Sequence, residues 1–175
     1  MALRSGAALA PLIKSPVLSA FGRVLLHDST CIGLPAHPAK LYPGCRNQHR
    51  QGTSYAVLRL QVVYNLLTDQ CLHFTTSPYT RNDQAASPDI LAWVRSRDLI
   101  LRDLGCFVLD VFERLHQRGA YFLSRLRHDV QVWTSTGARI NWRTLSRTGV
   151  PLDEMVWLGQ NRRLRVRLIA RHPPL

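Results

Sequence analysis

Val24-Leu25-Leu26-His27-Asp28-Ser29-Thr30 decides how the rest of the chain is read. Its apolar start has the make-up of a buried strand, and that strand delivers a carboxylate, Asp28, to its end with two hydroxyls directly behind it. A metal ligand is presented in this way. Further along, Leu99-Ile100-Leu101-Arg102 leads to Asp103 and then to Leu104-Gly105, which repeats the design. Whether the two acids meet depends on the elements between them.

From Tyr55, Leu58, Leu60, Val62 and Tyr64 alternate with Arg59, Gln61 and Val63, the period of a half-buried strand. Leu66 to Asp69 reads as a turn, and Cys71 to Thr75 as the returning strand of a hairpin. Ser87-Pro88 predicts the N-cap and first-turn proline of a short helix ending near Arg95, with Ile90, Leu91 and Val94 on one face. Beyond Gly105, the residues Val108, Val111, Phe112 and Leu115 fall at helical spacing, and Gly119 supplies a C-cap. Ala120 to Leu126 is the next strand. Strands first and alternation later predict an α/β fold of the α+β kind, a mixed sheet with helices packed on its faces. A helical crossover makes the Asp103 strand parallel to its neighbour, so the Asp28 and Asp103 strands can lie side by side with both carboxylates at one edge.

Composition sets the partners. The 175 residues, 46% of them hydrophobic, can build a real core, which excludes a disordered tail. The formal charge is +12, and every basic residue except Lys14 and Lys40 is arginine. Arginine's planar fork grips phosphate oxygens two at a time, so this balance favours nucleic acid as partner. Cys31, Cys45, Cys71 and Cys106 show no paired spacing, which suits a reduced, cytoplasmic protein. Cys31, His37, Cys45 and His49 are zinc-type ligands at gaps that match no familiar finger. No stretch has the length of a transmembrane helix, so no membrane partner is expected.

Three segments follow. Residues 1–22 read as an irregular lead-in, 23–127 as the core, and 128–175 as a partial, β-rich attachment. In the last of these, Leu164, Val166 and Leu168 alternate with Arg163, Arg165 and Arg167, which puts three guanidinium groups on one face of a strand.

Asp28-Ser29-Thr30, then Leu34-Pro35, then Asp103-Leu104-Gly105-Cys106-Phe107 before a helix, then Gly119-Ala120-Tyr121-Phe122-Leu123-Ser124-Arg125-Leu126 form an ordered set. Over residues 21–171 this set resembles the catalytic core of DDE-type insertion-sequence transposases, the insertion-sequence-four group. The resemblance implies an RNase H-like core interrupted by a β-rich insertion. It implies Asp28 and Asp103 as the first two catalytic, metal-binding acids, with magnesium or manganese as cofactor. It also implies a phosphate contact at Arg125, with Arg163, Arg165 and Arg167 as further nucleic-acid-binding candidates. Transposon ends and target DNA are then the partners, with a homodimer allowed in the full-length family member and a bacterial-type, nucleoid-associated cytoplasmic location.

One departure stands out. The family's third acid is a glutamate on a later helix, whereas the glutamates here are Glu113 and Glu154, neither in the family's pattern. The expectation is therefore a piece truncated at both ends and inactive alone. In the family's chemistry, hard carboxylate oxygens hold two divalent ions about 4 Å apart on either side of a phosphorus centre. The rival readings are a non-catalytic DNA-binding remnant and an RNA-binding accessory protein. The aliphatic make-up of the strands disfavours the second.

Overall fold

The strand that carries Asp28, β1 (Arg23–Leu34), is the centre of a five-stranded sheet. The structure, a computed structural model, describes residues 15–35, 37–44, 56–141, 151–161 and 163–170. The chain divides into two units, Met1–Arg125 and Leu126–Leu175.

β1 does not stop at Asp28, as its apolar start suggested. Its antiparallel partner β2 (Ala56–Asn65) keeps the ladder going from Leu25↔Asn65 to Leu34↔Ala56. The parallel partner β4 (Asp98–Arg102) accompanies it only from Arg23↔Asp98 to His27↔Arg102. Asp28 is thus the first residue beyond the parallel ladder while still held in the antiparallel one. β3 (Gln70–Pro78) closes the hairpin with β2, and β5 (Tyr121–Ser124) pairs parallel to β4, giving the order β3-β2-β1-β4-β5.

The helix between β3 and β4 starts earlier than the Ser87-Pro88 pair predicts. Asn82 is the cap, its side chain accepting from the Ala85 N–H at 2.9 Å, and α1 (Asp83–Ala86) passes directly into a 3-10 turn, Ser87–Ala92. Pro88 falls at the start of that tighter turn, where its missing N–H costs nothing. The Ser87 hydroxyl is therefore released from capping and donates to the Cys106 carbonyl at 2.9 Å. α2 (Leu109–Gln117) buries Val111, Phe112 and Leu115 as its spacing requires. It ends at Gly119, whose φ of 70° a side chain would resist.

The faces of the sheet differ. Val63, Ile100 and Phe122 point to the side where Phe112 of α2 stacks on Phe122 at 4.3 Å. On β2 this buried side also carries Arg59, Gln61 and Asn65, while the aliphatic Leu58, Leu60 and Val62 are only half-buried. The opposite side leaves Phe74, Tyr121 and Leu123 exposed.

In the second unit, β6 (Val132–Trp133), β7 (Leu152–Leu158) and β8 (Leu164–Ala170) form an antiparallel sheet in that order. Val132, Val156, Leu158 and Leu164 are its buried core, and the Trp133 indole N–H donates to the Gly159 carbonyl at 2.9 Å. Trp142, Cys45 and His49 lie outside the described residues.

Arg23 and Asp98 face each other at the first rung of the β1–β4 ladder. Arg23 Nε and Nη2 donate to the two Asp98 oxygens at 3.0 and 2.6 Å, and the Arg95 N–H donates to Asp98 Oδ2 at 2.7 Å. The Asp98 side chain is 2% exposed, so removing its partner strands a buried charge. Arg23→Ala is expected to lower the unfolding free energy by about 3 kcal/mol, measured by urea denaturation.

Candidate active site

The register of the three parallel strands builds the site rung by rung. Leu25, Ile100 and Phe122 share one level, Leu26, Leu101 and Leu123 the next, and His27, Arg102 and Ser124 the one after. Directly after these rungs come Asp28, still within β1, and Asp103 and Arg125, each the first residue past its strand. Alternation returns these three to the side of Leu26, Leu101 and Leu123. Adjacent paired strands stand about 4.8 Å apart, and the three residues follow directly on three such strands. All three line a cleft of about 440 Å³ whose apolar wall is Leu26, Leu101 and Leu123.

Both acids are exposed. The Ser29 N–H donates to Asp28 Oδ1 at 2.7 Å, and the Cys106 N–H donates to Asp103 Oδ1 at 3.2 Å. Asp103 therefore also caps the turn that leaves β4. Among the described residues neither carboxylate enters an ion pair. Their oxygens are hard donors of the kind magnesium and manganese take, and two carboxylates with water and substrate oxygens make up a usual magnesium shell. A third protein ligand does not join them: among the described residues no three His, Cys, Asp or Glu side chains are grouped to hold an ion. Glu113 sits on α2 and does not line the cleft, and Glu154 belongs to β7 of the second unit.

Sequence reasoning missed Asp83. It accepts from the Ser29 hydroxyl at 2.6 Å and from Arg59 Nη1 at 2.5 Å, both at Oδ1. The pairing of β1 with β2 brings Ser29 beside Arg59 and α1. The available signal was Asn82-Asp83, a cap residue followed by an acid in the first helical turn.

Behind Asp28, on the covered side, His27 is 2% exposed. Its Nδ1 lies 3.0 Å from Arg102 Nη2 and its Nε2 lies 3.2 Å from Gln61 Oε1. A guanidinium can only donate, so Nδ1 accepts and the ring is the neutral Nε2–H tautomer. Burial first, and then the Arg102 charge, pull the His27 pKa down to about 4, with the Gln61 bond opposing in part. Burial pushes the neighbouring Cys106 thiol up to about 11, which keeps it protonated and unreactive at neutral pH.

The arginines predicted on β8 share one face and are exposed. Arg165 is paired across from Trp157, and Arg167 holds Asp153 in a two-pronged ion pair at 2.7 and 2.8 Å.

The strand order and the acids at the end of the parallel ladder define an RNase H-like domain. More narrowly, the chain belongs to the transposase DDE domain family, whose match covers residues 19–172. It is 36% identical over 115 residues to the transposase for insertion sequence element IS231B of Bacillus thuringiensis subsp. berliner, covering 66% of this chain and 23% of that protein. It is 34% identical over 122 residues to the transposase for insertion sequence element IS231E of Bacillus thuringiensis subsp. finitimus, covering 70% and 25%. A more distant relative is the transposase for insertion sequence element IS1151 of Clostridium perfringens, 27% identical over 113 residues, covering 65% and 23%. The chain thus spans about a quarter of the length of these relatives. No solved structure gives a significant match.

Because His27 is held neutral at a pKa of about 4 against 6.5 when unfolded, the unfolded chain binds the extra proton between these values. Stability from this group is complete above about pH 6.5 and is lost as pH falls toward 4, by about 3 kcal/mol in all. Denaturant melts across this window are expected to show that slope, and His27→Gln to remove it.

Proposed function

We infer that the chain is the catalytic-core segment of a DNA transposase, in which Asp28 and Asp103 hold a divalent cation, magnesium or manganese, at the end of the parallel ladder. The observation that carries this reading is that Asp28, Asp103 and Arg125, each the next residue after the last shared rung of three parallel strands, all line one cleft. A divalent ion supplies charge neutralisation at a phosphoryl oxygen. The chain's own groups do the rest. Asp28, fixed within an antiparallel ladder, and Asp103, fixed by the Cys106 N–H, present oxygens to the cation from two backbones. Arg125 grips a phosphate oxygen beside them, at the edge of the same cleft.

On the same reading the substrates are transposon ends and target DNA, met in a bacterial-type cytoplasm at the nucleoid, and the full-length protein works as a homodimer. Arg163, Arg165 and Arg167 add backbone contacts. The isolated chain binds metal and DNA but turns over little, since neither Glu113 nor Glu154 stands in the family's pattern for a third acid.

Manganese calorimetry on the full chain tests the site: binding heat is expected in the wild type, with affinity falling more than about tenfold in Asp28→Asn and in Asp103→Asn. Supercoiled plasmid should stay uncut in magnesium. A magnesium-dependent nick that disappears in Asp28→Ala overturns the inactivity, and absence of any metal-dependent heat overturns the cation site and leaves a non-catalytic DNA-binding remnant.

A further inference from the structure

Asp83 belongs to α1, which adds no strand to the sheet, yet its two oxygens face the supports of both acids. Oδ1 accepts the Ser29 hydroxyl at 2.6 Å, and the backbone N–H of that same Ser29 holds Asp28 at 2.7 Å. Oδ2 closes over Gly105, where a grafted methyl group would meet it at 2.9 Å and both Asp103 oxygens at 3.4 Å. Gly105 is the residue between Leu104 and Cys106 in the turn that Asp103 caps.

We propose that Asp83 is a positioning residue for the Asp28–Asp103 pair, locking β1 at Ser29 through one oxygen and the Gly105 turn through the other. The inference rests on the reading of that pair as a cation site and goes beyond it, since Asp83 supplies no ligand there. Its charge is already met by Arg59, whose side chain is 10% exposed against 28% for Asp83. Arg59 Nη1 reaches both Asp83 Oδ1 and the Ser29 hydroxyl, at 2.5 and 3.1 Å, and the guanidinium lies over the Tyr79 ring at 5.3 Å. The clamp is thus anchored on β2, one strand beyond Asp28, and reaches over it to the turn after β4. A side chain at Gly105 would meet Asp83 Oδ2 at 2.9 Å, so either the carboxylate or the turn would have to shift.

Arg81–Asp89 offers a built-in control. It is the same chemistry in the same stretch of chain, two-pronged at 2.8 Å, with no bond to either acid or its turn. Two readouts on the full chain separate the ideas: manganese affinity, followed by the paramagnetic signal of free ion, and metal-free amide exchange at Ser29 and Cys106. Asp83→Asn is expected to weaken manganese about tenfold and to speed exchange at both amides, leaving the buried β4 amides protected. Asp89→Asn is expected to change neither.

Unchanged affinity and unchanged exchange in Asp83→Asn overturn the proposal. If the wild type shows no Asp28-dependent manganese binding while Asp83→Asn still speeds both amides, the cation reading falls and the coupling of Asp83 to both acids stands. If Asp83→Asn loses protection throughout β4, it has unfolded, and Gly105→Ala decides instead. Faster exchange confined to Ser29 and Cys106 in that variant supports the clamp, and wild-type exchange there overturns it.

Discussion

The parallel ladder between β1 and β4 is the constraint on which the rest depends. It is only five rungs long, from Arg23↔Asp98 to His27↔Arg102, and a shift of one residue would turn every side chain on one strand to the wrong side. The first rung prevents this, because a nearly dry aspartate finds its counter-charge only in that register. A pair at the bottom of the sheet therefore determines which residues stand together at the top. Ion pairs of this kind contribute little net stability against an apolar substitute, whereas removing one partner strands the other's charge.

Going up the strands, the rungs change chemistry in order. Leu25, Ile100 and Phe122 pack with Phe112 as a wholly apolar layer, and Phe107 adds an edge-on ring at 5.0 Å from Phe112. Above them His27 and Arg102 form a buried polar layer, in which Arg102 Nη2 donates to the Ser87 carbonyl at 2.8 Å while its Nε and Nη1 have no bond among the described residues. Burying such groups costs free energy, which the aromatic layer beneath offsets. Beyond the last rung, the level of Asp28 and Asp103 is charged and wet. The polar layer keeps the end of the ladder rigid while separating the acids from the core.

Most of this was legible one strand at a time. Apolar runs gave β1 and β4, alternation gave β2 and β8, and the spacing of Val111, Phe112 and Leu115 gave α2, because each signal lies within a single element. The parity of Asp28 and Asp103 followed from a crossover argument that needs no knowledge of contacts. What escaped depended on partners far apart in the chain. Leu58, Leu60 and Val62 have the look of a core face, but α1 and the 3-10 turn cover the other side of β2, so Arg59 and Gln61 are buried instead. Asp83 was invisible for the same reason: its partners are Ser29 and Arg59, and no spacing along the sequence announces that triangle. Ser87-Pro88 misled because two adjacent residues can begin a helix or tighten one already under way.

β1's continuation past Asp28 makes the two acids mechanically unequal. Asp28 is gripped by hydrogen bonds to β2 above and below it, whereas Asp103 is already off its strand, on a bend through Leu104 and Gly105. One jaw is fixed and the other is sprung. Accommodation to a larger or smaller guest accordingly falls to the Asp103 side, where a bend braced by one amide and one neighbouring carboxylate stands in for a ladder.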